Sequence, residues 1–227
     1  MRYPPYIRVA MNVGQTRANP GNPNPEWKAY WEDIYTKRDP TETSWFQSHP
    51  EHSLALIEQT GLGTRAGVID IGGGTSTLVD HLLEASYENI AVLDIASTAI
   101  ARVQARLGKR AGEVTWIEGD VSEHAPETLY DIWHDRAVFH FLTHSSDRER
   151  YLEALNRSLK PGGQVIIATF SENGPSQCNG LDIVRYSPVT LSQALGPQLH
   201  LVETLMEEHH TPSGGLQEFV YCRFCRN

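Results

Sequence analysis

The stretch Val68–Thr77, VIDIGGGTST, decides the fold. A short apolar run closes on an acid, three glycines follow, and a helix-forming segment opens behind them. A chain gives up side chains in this way where something must approach its backbone closely. A strand that ends in a glycine turn and opens a helix is the mark of a nucleotide-type crevice in a doubly wound sheet. The dinucleotide pattern G-x-G-x-x-G/A accepts Gly72 and Gly74, but its last position is Thr77, where close helix–strand packing wants a small residue. A phosphate-cradling loop ends in G-K-S/T, and no lysine follows these glycines. Both phosphate-bearing ligands therefore lose ground.

Outward from the glycines the pattern alternates. Strand-like runs are AGVIDI, NIAVLDI, EVTWIEG, YDIWH and GQVIIATF; helix-like runs between them are TSTLVDHLLEA, STAIARVQARLG, RAVFHFLTH and SDRERYLEALNRSLKPGG. Short β-branched strands alternating with helices predict a parallel, doubly wound, Rossmann-like sheet. After Phe170 come a long polar connection, a short helix near Leu191, and two strands joined by TPSGG as a hairpin. That hairpin predicts an antiparallel edge and seven strands in all. Upstream, a helix is expected to start near Pro25 with Trp27, Tyr30, Trp31, Ile34 and Tyr35 on one stripe. Residues 26–60 read as a helical cover on a domain spanning 26–227. Residues 1–25, with NPGNPNP, read as a flexible arm.

Composition narrows the class. Of 227 residues 40% are hydrophobic and 21% charged, which suits a globular domain. No run approaches the roughly 18 apolar residues of a membrane span, and the proline-bearing start does not read as a targeting helix. The cytoplasm is the expected compartment. A net charge of −9 without a basic cluster argues against nucleic acid. Three cysteines, Cys178, Cys222 and Cys225, suit a reducing environment. The pair in CRFC lies in an alternating, strand-like run, where residues three apart face opposite ways and do not share a metal.

VIDIGGGTS followed by VLDIA and IEGDV, in that order and spacing, resembles the class I S-adenosylmethionine (SAM) methyltransferases over residues 65–170. The resemblance implies that Asp70 helps hold the amino-acid end of SAM and that Gly72, Gly73 and Gly74 let the cofactor approach the backbone. It implies that Asp94 takes the two ribose hydroxyls and Asp120 the adenine amino group. Ile95, Val121, His134 and Trp45 complete the expected cofactor contacts. Ser76 stands where the family's motif usually has a third glycine. The chemistry agrees: SAM has no phosphate, carries a sulfonium and an ammonium, and presents a diol that a carboxylate accepts well. The alternative for Asp70 and Asp94 is that they only cap helices.

The acceptor side is expected at the end of the fourth strand, the connection after the fifth, and the cover. HDRAVFHF resembles the D-R-G element of thiopurine and thiol S-methyltransferases and the D-K-G element of a group of protein-lysine methyltransferases, with Ala137 in place of the glycine. YWEDIY and TSWFQSHPE resemble the Trp-rich start of both groups. Asp135, Arg136 and His140 are the candidate catalytic residues, with Arg136 and His140 expected on one helical face. Phe46, Arg185 and Tyr186 are candidates for acceptor contact. His140 and His144 at i,i+4 have no carboxylate to complete a metal site, so no metal is expected. His209 and His210 read as solvent-exposed. The favoured reading is methyl transfer to a small acceptor, a thiol or other soft nucleophile first. A protein-lysine enzyme and a non-catalytic SAM-binding protein are the alternatives.

Overall fold

The structure, a computed structural model, describes residues 25–227. The expected arm lies outside the described residues except for Pro25, which opens helix α1 (Pro25–Lys37). Then follow α2 (Glu51–Glu58), β1 (Gly67–Ile71), α3 (Leu78–Glu84), β2 (Asn89–Asp94), α4 (Ser97–Leu107), β3 (Val114–Glu118), β4 (Tyr130–Arg136), α5 (Ser145–Ser158) and β5 (Leu159–Phe170). A short hairpin, β6 (Gln177–Cys178) and β7 (Leu181–Asp182), precedes α6 (Pro188–Leu195), β8 (Leu199–His210) and β9 (Leu216–Arg226). The main sheet runs β3-β2-β1-β4-β5-β9-β8, parallel except that β9 is antiparallel to both neighbours. This is the seven-stranded, mostly parallel sheet with an antiparallel hairpin edge that the alternation predicts.

β1 is apolar almost throughout because both of its faces are covered. Ile69 and Ile71 pack with Trp133, Tyr151 and Leu155 on the α5 side. Val68 packs with Leu82, Val92 and Ile132 on the α3 side. Strand order reverses between β1 and β4, so a crevice opens at their carboxyl ends, and the glycine turn stands at its mouth. CRFC lies inside β9 as expected, with Cys222 in the core and Cys225 half-buried.

One segment departs from expectation. RAVFHFLTH is not a helix. β4 continues through Arg136, Ala137 takes a left-handed φ of 72°, and a single 3-10 turn covers Phe139–Phe141. Two ties compete with helix formation, one of them to a strand 31 residues on. The Asp135 carboxylate accepts from the Val138 and Phe139 amides, and the Ala137 amide donates to Ala168 of β5 at 2.9 Å. Arg148, reaching back from α5, occupies the carbonyls of Leu142 and Thr143. Arg136 and His140 therefore share no helix face, and neither do His140 and His144. A left-handed φ favours glycine; Ala137 holds that conformation against its Cβ.

Candidate active site

The glycine turn is shaped by what touches it. An added Cβ on Gly72 (φ 61°) would stand 2.1 Å from Val138 Cγ2, and one on Gly74 (φ 52°) 2.3 Å from the Tyr35 hydroxyl. Gly73 would meet Val92 at 2.6 Å. Larger residues are excluded from both sides, by the body of the sheet and by α1. Behind the turn, Asp70 and His134 are direct neighbours across β1 and β4. Asp70 Oδ1 lies 2.7 Å from His134 Nδ1, and His134 Nε2 lies 2.9 Å from Ser53 Oγ on α2. All three side chains are buried.

Asp94, at the end of β2, accepts from the Gly74 amide at 2.7 Å with Oδ2 and from the Ala96 amide at 2.8 Å with Oδ1. It thus ties the glycine turn to the turn that opens α4. Burial is the main reason its carboxyl is raised to about 6. Each of its oxygens has a lone pair left. Asp120 accepts from the Ser122 amide with Oδ1, while Oδ2 makes no hydrogen bond among the described residues.

These residues form one wall of a cleft of about 1190 Å3, counting the space open to solvent. Gly72, Leu93, Asp94, Ile95, Gly119, Asp120, Val121 and Ser122 line the side formed by β1 to β3. Aromatic rings line the other side: Trp27, Trp31 and Tyr35 from α1, Trp45, Phe141, Phe170 and Phe219. Trp31 stands edge-on to Phe141 and Trp45, with centroids 5.4 and 6.0 Å away. A second, more polar chamber of about 530 Å3 adjoins it, lined by Asp70, Gly73, Ser53, His134, Phe46, Gln47 and Ser76. Tyr35, Trp45, Gly72 and Arg136 border both.

Arg136 is fixed on every side. Its Nε donates to Tyr221 at 2.8 Å, its Nη1 to the Trp45 carbonyl at 3.1 Å, and its Cζ stands 4.4 Å over the Phe219 ring. Glu207 lies 3.6 Å from Nη2, which has no hydrogen-bond partner. Glu207 also accepts from Tyr221 at 2.9 Å and from Gln47 at 2.5 Å. The cover loop 43–50 is thereby pinned to the C-terminal hairpin, and His209 adds a contact from its Nε2 to the Ser44 carbonyl at 2.8 Å. His209 is buried, against the expectation of exposure; His210 is exposed.

Other expected site residues sit elsewhere. Asp135 is fully buried, and besides the two amides it accepts from Tyr151 at 2.6 Å, so its carboxylate faces the interior of β4 and α5. Burial raises it to about 6. His140 is fully buried between Phe141 and Phe170, both ring nitrogens without partners, and desolvation lowers it to about 3. It is uncharged at neutral pH and stands behind the rings that line the cleft. Arg185 turns to the carbonyls of Glu172 and Gly174, and Tyr186 packs on Phe139 in the core. Neither lines the cleft. Cys178, not among the expected site residues, does line it, its thiol raised to about 12 by burial. Glu207, Phe219 and Tyr221 also went unsignalled, since nothing in an alternating hairpin tells which of its residues face a site. Among the described residues no group of three or more His, Cys, Asp or Glu is placed to hold a metal. No helix among them is long and apolar enough to cross a membrane.

Residues 69–165 match a family model described as a methyltransferase domain. Nodulation protein S of Rhizobium tropici is 24% identical over 118 residues, 52% of this chain and 49% of that protein. The chain spans about half the length of the curated relatives it matches. Among solved structures, one concerned with the conversion of a disulfide bond into a thioacetal group during echinomycin biosynthesis has a TM-score of 0.71 at 18% identity, covering 88% of this chain and 92% of the other. The N-methyltransferase NodS from Bradyrhizobium japonicum WM9, in complex with S-adenosyl-L-homocysteine, has a TM-score of 0.68 at 17% identity, covering 88% and 97%. These structures share the fold.

Proposed function

We propose that the protein is a class I SAM-dependent methyltransferase that moves the methyl group of SAM to a small nucleophilic acceptor, a reading supported by the match of residues 69–165 to a methyltransferase domain. One observation carries the reading: the glycine turn, Asp94 and Asp120 share a cleft whose opposite wall is a set of aromatic rings beside the fixed Arg136 guanidinium. The residues present fit the cofactor. Asp94 has one lone pair per oxygen for a diol, Asp120 Oδ2 is open to an amino group, and the polar chamber beside Asp70 and Gly73 suits an amino-acid end. Bound SAM would supply a methyl carbon already activated by its sulfonium. The protein's part is to position the acceptor in line with it and exclude water.

The acceptor half supports a nucleophile that arrives ready. In the reaction the acceptor atom forms its bond to the methyl carbon while the carbon–sulfur bond breaks, and S-adenosylhomocysteine leaves. Any acceptor proton must go to a base or be lost beforehand. His140 is neutral and behind the ring wall, and Asp135 is occupied by Tyr151 and two amides. A thiol, with a pKa near 8.5, is roughly a few per cent thiolate at pH 7, whereas the lysine amine is about a hundredfold less deprotonated. The Arg136 guanidinium borders the cleft with its charge offset by Glu207 at 3.6 Å, so the ordering of acceptors rests on how readily each loses its proton. We therefore place small thiols and other soft nucleophiles before a protein lysine. Among the neighbours, one is named for N-methylation and another concerns sulfur chemistry, so their names do not choose.

The test is an acceptor screen reading S-adenosylhomocysteine release, with thiols, selenols, amines and histone-like peptides side by side. Turnover of small thiols well above the others is expected. Methylation confined to lysine peptides would bring the protein-lysine reading to the front. Tight cofactor binding with no turnover of any acceptor would leave a binding protein.

A further inference from the structure

Helix α4 begins immediately after the Asp94–Ala96 turn, yet it has no cap of its own: its N-cap is Ala96, which offers no side-chain acceptor. The first amides of a helix need partners. Glu32, more than sixty residues upstream on α1, provides them. Its Oε1 accepts from the Ser97 amide and hydroxyl, both at 2.8 Å. Its Oε2 accepts from the Thr98 amide at 3.1 Å and from the Thr98 hydroxyl. A carboxylate in that position also meets the positive end of the helix. The exchange is reciprocal. Arg102 of α4 donates to the carbonyls of Arg38 and Thr36, at 2.7 and 3.3 Å, where α1 ends. Each helix caps the other.

The same helix roofs the cleft. Trp27, Trp31 and Tyr35 of α1 face into it, while Glu32 holds Ser97 and Thr98, the residues that follow the turn carrying Asp94 and Ile95. Tyr35 also stands against Gly74. The roof is thus tied to the start of α4, directly behind the turn whose Ala96 amide donates to the Asp94 carboxylate.

We infer that Glu32 is a positioning residue of the cofactor site: through α4 it couples closure of the aromatic roof to cofactor binding, with Arg102 as the other half of the clamp. The inference rests on the cofactor assignment above. Linkage requires that if roof closure strengthens cofactor binding, cofactor binding strengthens closure by the same factor. A residue that only stabilised the fold would change the melting temperature and leave that mutual response intact.

The experiment uses the full chain, S-adenosylhomocysteine as probe, calorimetry for affinity, and hydrogen exchange of residues 26–36 with and without the probe. In the wild type the probe is expected to slow exchange across α1. Glu32→Ala and Arg102→Ala are each expected to weaken binding about tenfold and to remove most of that protection. Glu32→Gln, which keeps one acceptor oxygen, should recover part of both. Asp33→Asn, which breaks only the exposed pair with Lys37 on the same helix, should change neither. Wild-type affinity in Glu32→Gln and Arg102→Ala, or α1 protection undiminished in them, overturns the inference even if Glu32→Ala fails to fold. Absence of binding to the wild type would instead remove the cofactor assignment itself.

Discussion

Asp94→Asn is expected to weaken S-adenosylhomocysteine binding about 10- to 100-fold, measured by calorimetry at pH 7.5. The carboxylate accepts the Gly74 and Ala96 amides and is assigned two ribose hydroxyls besides. An amide in its place has one acceptor oxygen, and its NH2 faces at least one donor that it cannot satisfy. Hydrogen bonds to a charged group contribute about 1.5–3 kcal/mol each, and about 1.4 kcal/mol is tenfold in affinity. The pH dependence gives an independent check. Burial holds the free Asp94 carboxyl at about 6. Hydroxyl donors favour the ionised form, so ligand and proton compete, and wild-type affinity should fall as pH drops below about 6. The Asn variant should show no such decline. Stability runs the other way. A carboxyl raised in the folded state contributes stability below its unfolded pKa, near 3.9, and loses it as pH rises through about 6. The variant escapes that loss while it gains an unsatisfied amide, so its melting temperature should move less than its affinity. An Asn variant that binds like the wild type from pH 5 to 8 would take Asp94 out of the ribose site.

Where the sequence was legible, it was so because the physics is local. VIDIGGGTST sets a strand, a turn without side chains and a helix within ten residues, and the acids that close the first two strands project at the crevice by topology alone. The aromatic stripe of α1 was readable from its period, because a helix that presents Trp27, Trp31 and Tyr35 on one side has something to cover. The reading failed where contacts distant in sequence decide. RAVFHFLTH has a helix's composition, but Asp135 takes the first amides and Ala168 holds Ala137 to the sheet, so the chain turns instead. That one change removes His140 from the face of Arg136 and puts it behind Phe141 and Phe170. Glu32 is the reverse case: in sequence an acid on a solvated face, in the fold the cap of another helix. Glu207 and Tyr221 lie on alternating strands whose outward and inward residues look alike until the cover loop is seen to land on them.

Arg136→Lys is expected to lower acceptor turnover at least tenfold and to raise the KM for SAM as well, although the positive charge is retained. The reason is geometric. The guanidinium spreads its donors over Tyr221 and the Trp45 carbonyl while its plane rests on Phe219. An ammonium is a compact point donor that cannot make the fork and the stack together. Losing the tie to Trp45 loosens the cover loop, which borders both chambers, so cofactor and acceptor are both affected. Arg136→Met adds the loss of the cation and leaves Glu207 buried without a charge partner, its side chain only 11% exposed. Pairing it with Glu207→Gln removes that penalty and separates charge from tie. If the cation itself matters to the acceptor, the paired variant should lose more turnover with an anionic thiol than with a neutral one, and the difference should shrink in Arg136→Lys. If the fork alone matters, Lys and Met variants should fall together for every acceptor. Full thiol turnover in Arg136→Met would remove this residue from the site altogether and leave the aromatic wall as the whole of the acceptor's recognition.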